Sequence, residues 1–307
     1  MIDFPKVGII LLNWNGEEDT VNCLSSLKYI DYPNYEIVLV DNGSQDGSPD
    51  RIKAKFPEIT LIKNKENLGF AEGNNVGIRR LLQDKTDYFL LLNNDTVVDK
   101  NFLREMVSAF DRDPKIGMAG PKIYYMHDRD RIWYAGGDFR KISGRTYHIG
   151  QMQKDKGQFD EFKEVGFITG CALLVKREVV DKIGLLDKDY FNNYEDVDWS
   201  ARAKAAGYKL MYVPTSVIWH KFAASMGGRF SPFYIYYRIR NNLLYVKKNN
   251  GSTVELLFHL ILSPVKMFGF CILTLNFKGI ISTFYGLLDF IIGRYGKGRD
   301  FSRGKKK

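Results

Sequence analysis

Apolar runs of strand length alternate with segments of helical period through the first third of the chain. Val7–Leu12 is a continuous apolar run, the mark of a strand buried on both faces. It gives way to Asn13-Trp14-Asn15-Gly16 and then to Glu17–Leu27, where Val21, Leu24 and Leu27 fall at helical spacing behind an acidic start that suits the helix dipole. Tyr35–Val40 reads as a second strand and runs into Asp41–Ser48; Ser48 is placed to cap the next helix, with Pro49 at its first position. Thr60–Lys63 is a short third strand, leading through Asn67–Gly77 into a helix that ends near Gln83. Tyr88–Leu92 is again unbroken apolar sequence and stops abruptly at Asn93, Asn94 and Asp95. This alternation predicts an α/β fold with a doubly wound, mostly parallel sheet. The polar clusters Asn13–Gly16, Asp41–Ser48 and Asn93–Asp95 all follow strands, so they converge on the crevice where open α/β sheets bind ligands.

Beyond this point the pattern is less regular. Asn101–Phe110 reads as a helix and Ile116–Lys122 as a strand, followed by a long polar and aromatic stretch, Tyr124–Phe162, expected to hold hairpins or a loop. Val165–Val175 reads as a strand interrupted by Gly166 and Gly170, which suggests a bulge or a close approach to backbone. Arg177–Ile183 is a short helix. Tyr194–Trp199 precedes a helix over Ser200–Ala206, and two strand pieces, Leu210–Val213 and Ser216–Trp219, lead to His220. Tyr234–Tyr245 is an aromatic, basic helix. Leu256–Leu275 is apolar but contains His259, Pro264 and Lys266. Ile280–Ile291 sets Ile280, Phe284, Leu287, Leu288 and Ile291 on one face, with Ser282, Thr283 and Asp289 elsewhere. Neither offers the ~20 clean apolar residues of a transmembrane helix. Both read as interfacial amphipathic helices; the alternative is ordinary packing on the core.

Composition adds three constraints. The chain of 307 residues is 45% hydrophobic and 26% charged, enough for a large core. Cys23, Cys171 and Cys271 are far apart, which points to a reducing compartment and away from a disulfide frame or zinc site. The net charge of +9 is concentrated at the end, where residues 294–307 carry seven basic side chains and one acidic, Asp300. Following an apolar stretch, such a tail fits an anionic membrane surface better than nucleic acid. The N-terminus leads straight into a strand, so no secretory signal is expected. Neither G-x-G-x-x-G after the first strand nor G-x-x-x-x-G-K-[ST] occurs, which weakens oxidoreductase and P-loop readings.

Asp95, where a buried strand ends, is placed to hold a divalent cation, because hard cations take oxygen ligands and need few from protein when phosphates supply the rest. On spacing alone, a turn with a helix cap accounts for Asn93–Thr96 as well.

Taken together, Leu12-Asn-Trp-Asn15, Val40-Asp-Asn-Gly-Ser-Gln-Asp46, Asn67-Leu-Gly-Phe70, Asn93-Asn-Asp95 and Tyr194-Glu-Asp196 resemble, in this order, glycosyltransferase family 2 and its rhamnosyltransferase-like members. The resemblance covers roughly residues 5 to 245. It implies a GT-A fold, a Rossmann-like mixed sheet flanked by helices, with a C-terminal helical extension. Residues 1–230 would be the catalytic domain, its nucleotide-binding half about 1–100 and its acceptor half about 101–230. Residues 231–307 would form a helical, membrane-associating region with a basic tail.

The same resemblance implies residue roles. Asp41 would bind the nucleotide base or ribose, with an Asx turn to Gly43 as the alternative, and Trp14 would stack on the base unless it is core. Asn13 and Asn15 beside it, Asn93 and Asn94, and the loop residues Asn67, Gly69 and Asn75 would line the nucleotide-sugar site. The family's Asp-x-Asp metal motif reads Asn93-Asn94-Asp95 here, so a carboxylate is replaced and Asp95 remains the candidate ligand for Mn²⁺ or Mg²⁺, with His220 as its partner. Asp196 would be the catalytic base and Glu195 its companion at a helix start; the alternative for Asp196 is a capping acid. Asp198 is read as structural. Thr169, Gly170 and Trp199 would shape the donor-sugar and acceptor pocket. Arg238, Arg240 and Asn241 would reach phosphates of a lipid-linked acceptor unless they form a solvated helix face.

The expected activity is inverting, metal-dependent transfer of a sugar, rhamnose or another hexose, from a nucleotide-diphosphate donor to a hydroxyl of a glycan or lipid-linked acceptor in cell-surface polysaccharide synthesis. The expected setting is the cytoplasm, peripherally on the inner membrane face. The alternatives are a sugar-1-phosphate nucleotidyltransferase and a non-catalytic nucleotide-sugar-binding module. Glu17, Glu18 and Asp19 after Gly16 would repel the triphosphate that the former binds.

Overall fold

Val7–Asn13 (β1) is buried at every position except Leu12, as an unbroken apolar run predicts. The computed structural model describes residues 4–139, 145–221, 231–249 and 253–299. After β1 come Glu17–Leu27 (α1), Tyr35–Asp41 (β2), Ser48–Lys55 (α2), Thr60–Lys63 (β3), Gly69–Leu82 (α3) and Tyr88–Asn93 (β4). Thr96–Val98 (β5), Phe102–Ser108 (α4), Ile116–Tyr125 (β6), Asp128–Tyr134 (β7), Gly137–Phe139 (β8), Thr146–His148 (β9), Lys163–Glu164 (β10) and Ala172–Lys176 (β11) follow. The chain then forms Arg177–Ile183 (α5), Glu195–Ala205 (α6), Lys209–His220 (β12), Pro232–Asn249 (α7), Thr253–Leu273 (α8) and Phe277–Ile291 (α9).

Ten strands make one mixed sheet in the order β10-β12-β6-β11-β4-β1-β2-β3, with β5 added to β12 and β7 to β6. The half built by β3, β2, β1 and β4 is parallel, as predicted. The sheet turns mixed at β11, which runs antiparallel to both β4 and β6. Two features of this register build the site. Asn13 pairs with Asp41 across β1 and β2, so their side chains leave the sheet together. β5 runs antiparallel to the end of β12, pairing Thr96 with His220 and bringing Asp95 beside that histidine.

Several expectations change. Of the run Val165–Val175 only the part from Ala172 onward belongs to a named strand, β11; Thr169–Cys171 forms a turn beside β4, in which Ala172 N–H donates to the Thr169 carbonyl and the Cys171 carbonyl accepts from Asn93 N–H. The two predicted pieces before His220 are one strand, with a register shift between Val213 and Val217 where Pro214 offers no N–H to the ladder. Helix α6 begins at Glu195 rather than Ser200, so the acidic pair lies in its first turn. Ser48 does not cap α2: Gly47 precedes the helix, and the Ser48 hydroxyl accepts a hydrogen bond from Asn13 at 3.0 Å. The stretch after Tyr124 does hold hairpins, β6–β7 and β8–β9.

Two of the C-terminal helices, α7 and α8, depart most from expectation. Helix α7 is not a surface helix, since most of it from Ile235 to Val246 is buried. Helix α8 is, among the described residues, long and apolar enough to cross a membrane by length and composition alone, through Leu256–Leu273; the His259, Pro264 and Lys266 that argued otherwise do not break it. Helix α9 turns its polar face inward: Ser282, Thr283 and Asp289 are buried, while Ile281, Phe284 and Ile291 are exposed. The expected domain boundary at residue 230 and most of the basic tail lie outside the described residues.

Candidate active site

At the ends of β1 and β2 the Asn13 amide donates to Asp41 Oδ1 at 2.8 Å, and the Ser44 hydroxyl and backbone N–H reach the same carboxylate at 2.6 and 3.0 Å. The Asx turn therefore forms, closing on Ser44 rather than Gly43, and holds Asp41 buried and fixed where β2 ends. Asn13 also accepts from Thr20 and the Gly16 N–H, which ties the start of α1 to the same point. Trp14 is 48% exposed, so it is not core and its ring is available to a flat ligand. Asn15 adopts φ 49° and accepts from the Gln45 N–H, clamping the loop after β1 to the loop after β2. Asn94 donates to Thr20 at 2.8 Å, and Asn93 lies half-buried at the end of β4.

Asn42 is a residue the sequence reading passed over. Buried beside Asp41, it donates to Asn67 Oδ1 and the Gly69 carbonyl and accepts from Leu68 N–H and Asn64, so it organises the whole 64–69 turn. Its signal was an amide directly after a buried strand in an Asp-Asn-Gly turn. Gly69 has φ 82°, and a Cβ there would lie 2.5 Å from the Phe191 carbonyl and ring; no other residue fits. Gly69 thus seats this turn on the loop that precedes α6.

The second corner is Asp95 and His220. Both are buried, with Nε2 3.1 Å from Oδ1. Burial raises the Asp95 carboxyl, but the His220 charge and hydrogen bond more than offset this and the net shift is downward. Burial likewise lowers His220, while Cys171 and Asp95 beside it push the imidazole well above its ordinary value. A carboxylate oxygen and an imidazole nitrogen converging at one point fit a divalent cation of the Mn²⁺ type. Among the described residues no group of three His, Cys, Asp or Glu side chains could hold a metal. The pair therefore fits a cation whose remaining ligands come from a bound diphosphate.

The third corner is the start of α6. Phe191, Asn193 and Tyr194 take positive φ of 61°, 69° and 76°, a strained run that aims Glu195 and Asp196 inward. Asp196 Oδ2 accepts from the Gly170 N–H at 2.8 Å and Oδ1 from the Val197 N–H at 2.8 Å. Burial raises the Asp196 carboxyl, and the two N–H groups only partly counter it. Glu195 is more deeply buried, its Oε2 has no hydrogen-bond partner, and burial beside Asp196 raises it well above the carboxylate range. Burial thus favours the protonated form of both carboxyls, of Glu195 the more strongly, and Asp196 is the less buried of the two.

The Thr169–Cys171 turn joins the second and third corners. Gly170 N–H holds Asp196, and a Cβ on Gly170 would crowd the Phe70 ring at 3.0 Å. The adjacent Cys171 thiol is buried against His220, and its carbonyl accepts from Asn93 N–H at the end of β4. Thr169 is buried and its hydroxyl accepts from the Cys171 N–H at 3.4 Å, so it shapes the turn. The sequence reading weighed Cys171 only as a possible disulfide or zinc cysteine and gave it no place in the site.

Four predicted contacts point elsewhere. Trp199 is fully buried and its indole donates to the Gly184 carbonyl, so it is core and cannot line an acceptor pocket. Asn75 is buried, exchanging hydrogen bonds with the Leu186 backbone, which leaves nothing for a nucleotide. Arg240 and Asn241 are fully buried and cannot meet acceptor phosphates. Arg240 donates to the carbonyls of Asp189, Tyr190 and Gly296, and Asn241 to those of Tyr190, Asn192 and Asn193. Arg238 is half-buried, 3.3 Å from the Tyr234 hydroxyl. Asp198 is structural as expected, bonded to Tyr190 and Arg202.

Two expectations follow. Glu195 has a folded pKa above its unfolded value near 4.5. As pH rises past that value the unfolded chain releases a proton that the folded chain keeps, so stability falls until the folded pKa is passed. Glu195→Gln should therefore unfold at a higher temperature than the parent near neutral pH and at about the same temperature near pH 4; a difference independent of pH contradicts a neutral buried acid. Asn241→Leu removes three donor contacts that hold the strained loop. It should cost about 2–4 kcal/mol in denaturant unfolding and reduce transfer more than donor binding; parent-like turnover would show that the loop holds itself.

The family model Glycosyl transferase family 2 matches residues 8–184. An N-acetylglucosaminyl-diphospho-decaprenol L-rhamnosyltransferase of Mycobacterium tuberculosis is 27% identical over 66% of this chain and 72% of its own. A poly-beta-1,6-N-acetyl-D-glucosamine synthase of Staphylococcus aureus is 27% identical over 74% of this chain, which spans only 52% of it. Among solved structures, GalNAc-T7 with UDP, GalNAc and Mn²⁺ superposes with TM-score 0.63 at 18% identity, covering 80% of this chain and 48% of its own. A mannosyltransferase of Pyrobaculum calidifontis with GDP-Man and Mn²⁺ superposes with TM-score 0.60 at 16% identity, covering 95% and 76%. The shared fold is GT-A, with helices appended at the C-terminus of this chain.

Proposed function

The chain belongs to glycosyl transferase family 2, and from that premise we propose an inverting, cation-assisted transfer of a hexose, rhamnose in the first instance, from a nucleotide diphosphate to a hydroxyl of a lipid-linked glycan. The observation that carries this reading is the Thr169–Cys171 turn, whose consecutive residues hold Asp196 through a backbone N–H and lie against His220. A base and a diphosphate-side cation pair are thereby fixed to one rigid element. The rhamnosyltransferase relative supports the donor and the lipid-linked acceptor; the Mn²⁺ in both solved relatives supports the cation.

The chain's own residues divide the work. Asp41, Trp14 and the 64–69 turn hold the nucleoside. Asp95 and His220 would hold the cation, which offsets negative charge on the departing diphosphate. Asp196 takes the proton from the acceptor hydroxyl as that oxygen attacks the anomeric carbon from the opposite face. A base raised above the ordinary carboxylate value is better matched to neutral pH than a free one. Its two backbone N–H bonds keep it in one orientation. Glu195, being neutral, adds no charge to oppose the ionised base.

The test is product stereochemistry. With dTDP-rhamnose, UDP- and GDP-hexoses offered with Mn²⁺ and a polyprenyl-diphosphate-linked sugar, NMR of the product should show the anomeric configuration inverted from the donor. A retained configuration would remove the single-displacement role of Asp196. Donor binding without turnover across the panel would favour a binding module instead.

A further inference from the structure

The α8–α9 hairpin is built inside out. A surface helix of a protein in water buries its apolar stripe and exposes its polar one. Here Val254, Leu257, Ile261, Val265, Ile272 and Leu273 of α8 are all more than half exposed, as are Ile281, Phe284 and Ile291 of α9. The connection between them is no different, with Leu275 at 75% and Phe277 at 70% exposed.

The uncharged polar residues His259, Ser263 and Thr283, and Asp289, face the protein. His259 Nδ1 lies 3.1 Å from Asn242 Oδ1 on α7, and Ser263 reaches the same oxygen. Asp289 is fully buried, accepting from the Tyr236 hydroxyl at 2.8 Å and from Arg299 at 2.8 and 3.0 Å. Thr283 donates to the Gly279 carbonyl. These groups are satisfied inside, while the Ser282 hydroxyl, also buried, has no hydrogen-bond partner among the described residues.

Charge says what covers the apolar face. From Leu256 to Arg299 the only carboxylate is Asp289, and it is buried. Lys266, Lys278, Arg294 and Lys297 are exposed. Among the side chains described from Leu256 to Arg299, an apolar surface fringed by cations, with no exposed acid, complements an anionic lipid surface. The two helices do not cross together as a hairpin, although α8 alone has the length to do so. The inner faces of both helices pack on α7, whose Arg240 and Asn241 are locked to the loop before α6. Helix α9, at 15 residues, is only about 22 Å long, short of the ~30 Å hydrocarbon layer.

We infer that α8 and α9 insert their outer face, from Val254 through the 274–276 turn to Ile291, into one leaflet of an anionic membrane, in the plane of the interface. This deepens the proposed function, because a lipid-linked acceptor would then be met at the surface where it resides. It is tested without donor or acceptor, so it stands or falls separately from the transfer reaction.

The intact chain should float with vesicles of phosphatidylcholine and phosphatidylglycerol, and at least tenfold less with phosphatidylcholine alone at low salt. Ile281→Glu/Phe284→Glu changes only exposed side chains. It should lower vesicle affinity at least tenfold while leaving the thermal unfolding midpoint unchanged. Phe284→Trp should be quenched by lipids brominated on the acyl chain near the headgroup. Failure of the intact chain to bind either vesicle, or undiminished binding by the double variant, overturns the inference. So would light scattering showing a stable dimer that buries this face and does not bind vesicles.

Discussion

Asp196→Asn should keep donor affinity within about twofold of the parent and lose transfer by about 10²–10⁴-fold, the usual range for removing a general base. The side chain keeps its volume and its place at the start of α6. What changes is that an amide cannot take a proton, and that one of its two ends now donates. In the parent both oxygens accept, one from Gly170 N–H and one from Val197 N–H, each at 2.8 Å. In the variant one of those N–H groups faces an NH₂ group and loses its acceptor, at a cost of about 1–3 kcal/mol. Loss of the desolvated charge opposes that cost, so the fold should survive, and thermal unfolding checks it. Donor binding by calorimetry and transfer by product formation separate the two effects. A variant that still transfers sugar places the base elsewhere.

Removal of the cation should be as severe. Chelator should abolish transfer, and Mn²⁺ or Mg²⁺ should restore it. Asp95→Ala should reduce transfer at least about 10²-fold, because a cation at a leaving diphosphate supplies several kcal/mol of transition-state stabilisation. With one carboxylate and one imidazole, the site depends on the diphosphate for its other ligands, so the protein alone should bind Mn²⁺ weakly and the nucleotide should tighten it. Titration of Mn²⁺ with and without nucleoside diphosphate measures that coupling. Indifference to chelator, or equal Mn²⁺ affinity with and without nucleotide, contradicts the role given to Asp95 and His220.

The parallel half of the sheet was readable because its central strands, β1 and β4, are covered on both faces. Burial on both faces forces an unbroken apolar run, as in Val7–Leu12 and Tyr88–Leu92. Polar side chains then mark the strand ends, and Asp41 and Asp95 are found there. The start of α6 was harder to place, because its N-terminus is set by three positive-φ residues, Phe191, Asn193 and Tyr194, held by Asn241 from a distant helix. Local pattern does not carry such a constraint. Trp199, Arg240 and Asn241 misled for the same reason. Polar and amphipathic side chains on a helix suggest a ligand surface, yet here their partners are backbone carbonyls brought in by the fold. In α9 the period was right, but periodicity does not say which face meets the protein.

The central claim is that a cation held by Asp95 and His220 and a base at Asp196 face each other across one sugar ring. A crystal structure with an unhydrolysable nucleotide-sugar and Mn²⁺ tests it most directly, because the anomalous signal of manganese fixes the metal independently. The account predicts manganese within about 2 Å of Asp95 and His220 ligand atoms, bridging the diphosphate, with the Asp196 carboxylate on the face of the anomeric carbon opposite the leaving oxygen. Manganese elsewhere, or a sugar ring that does not lie between Asp95 and Asp196, would contradict it.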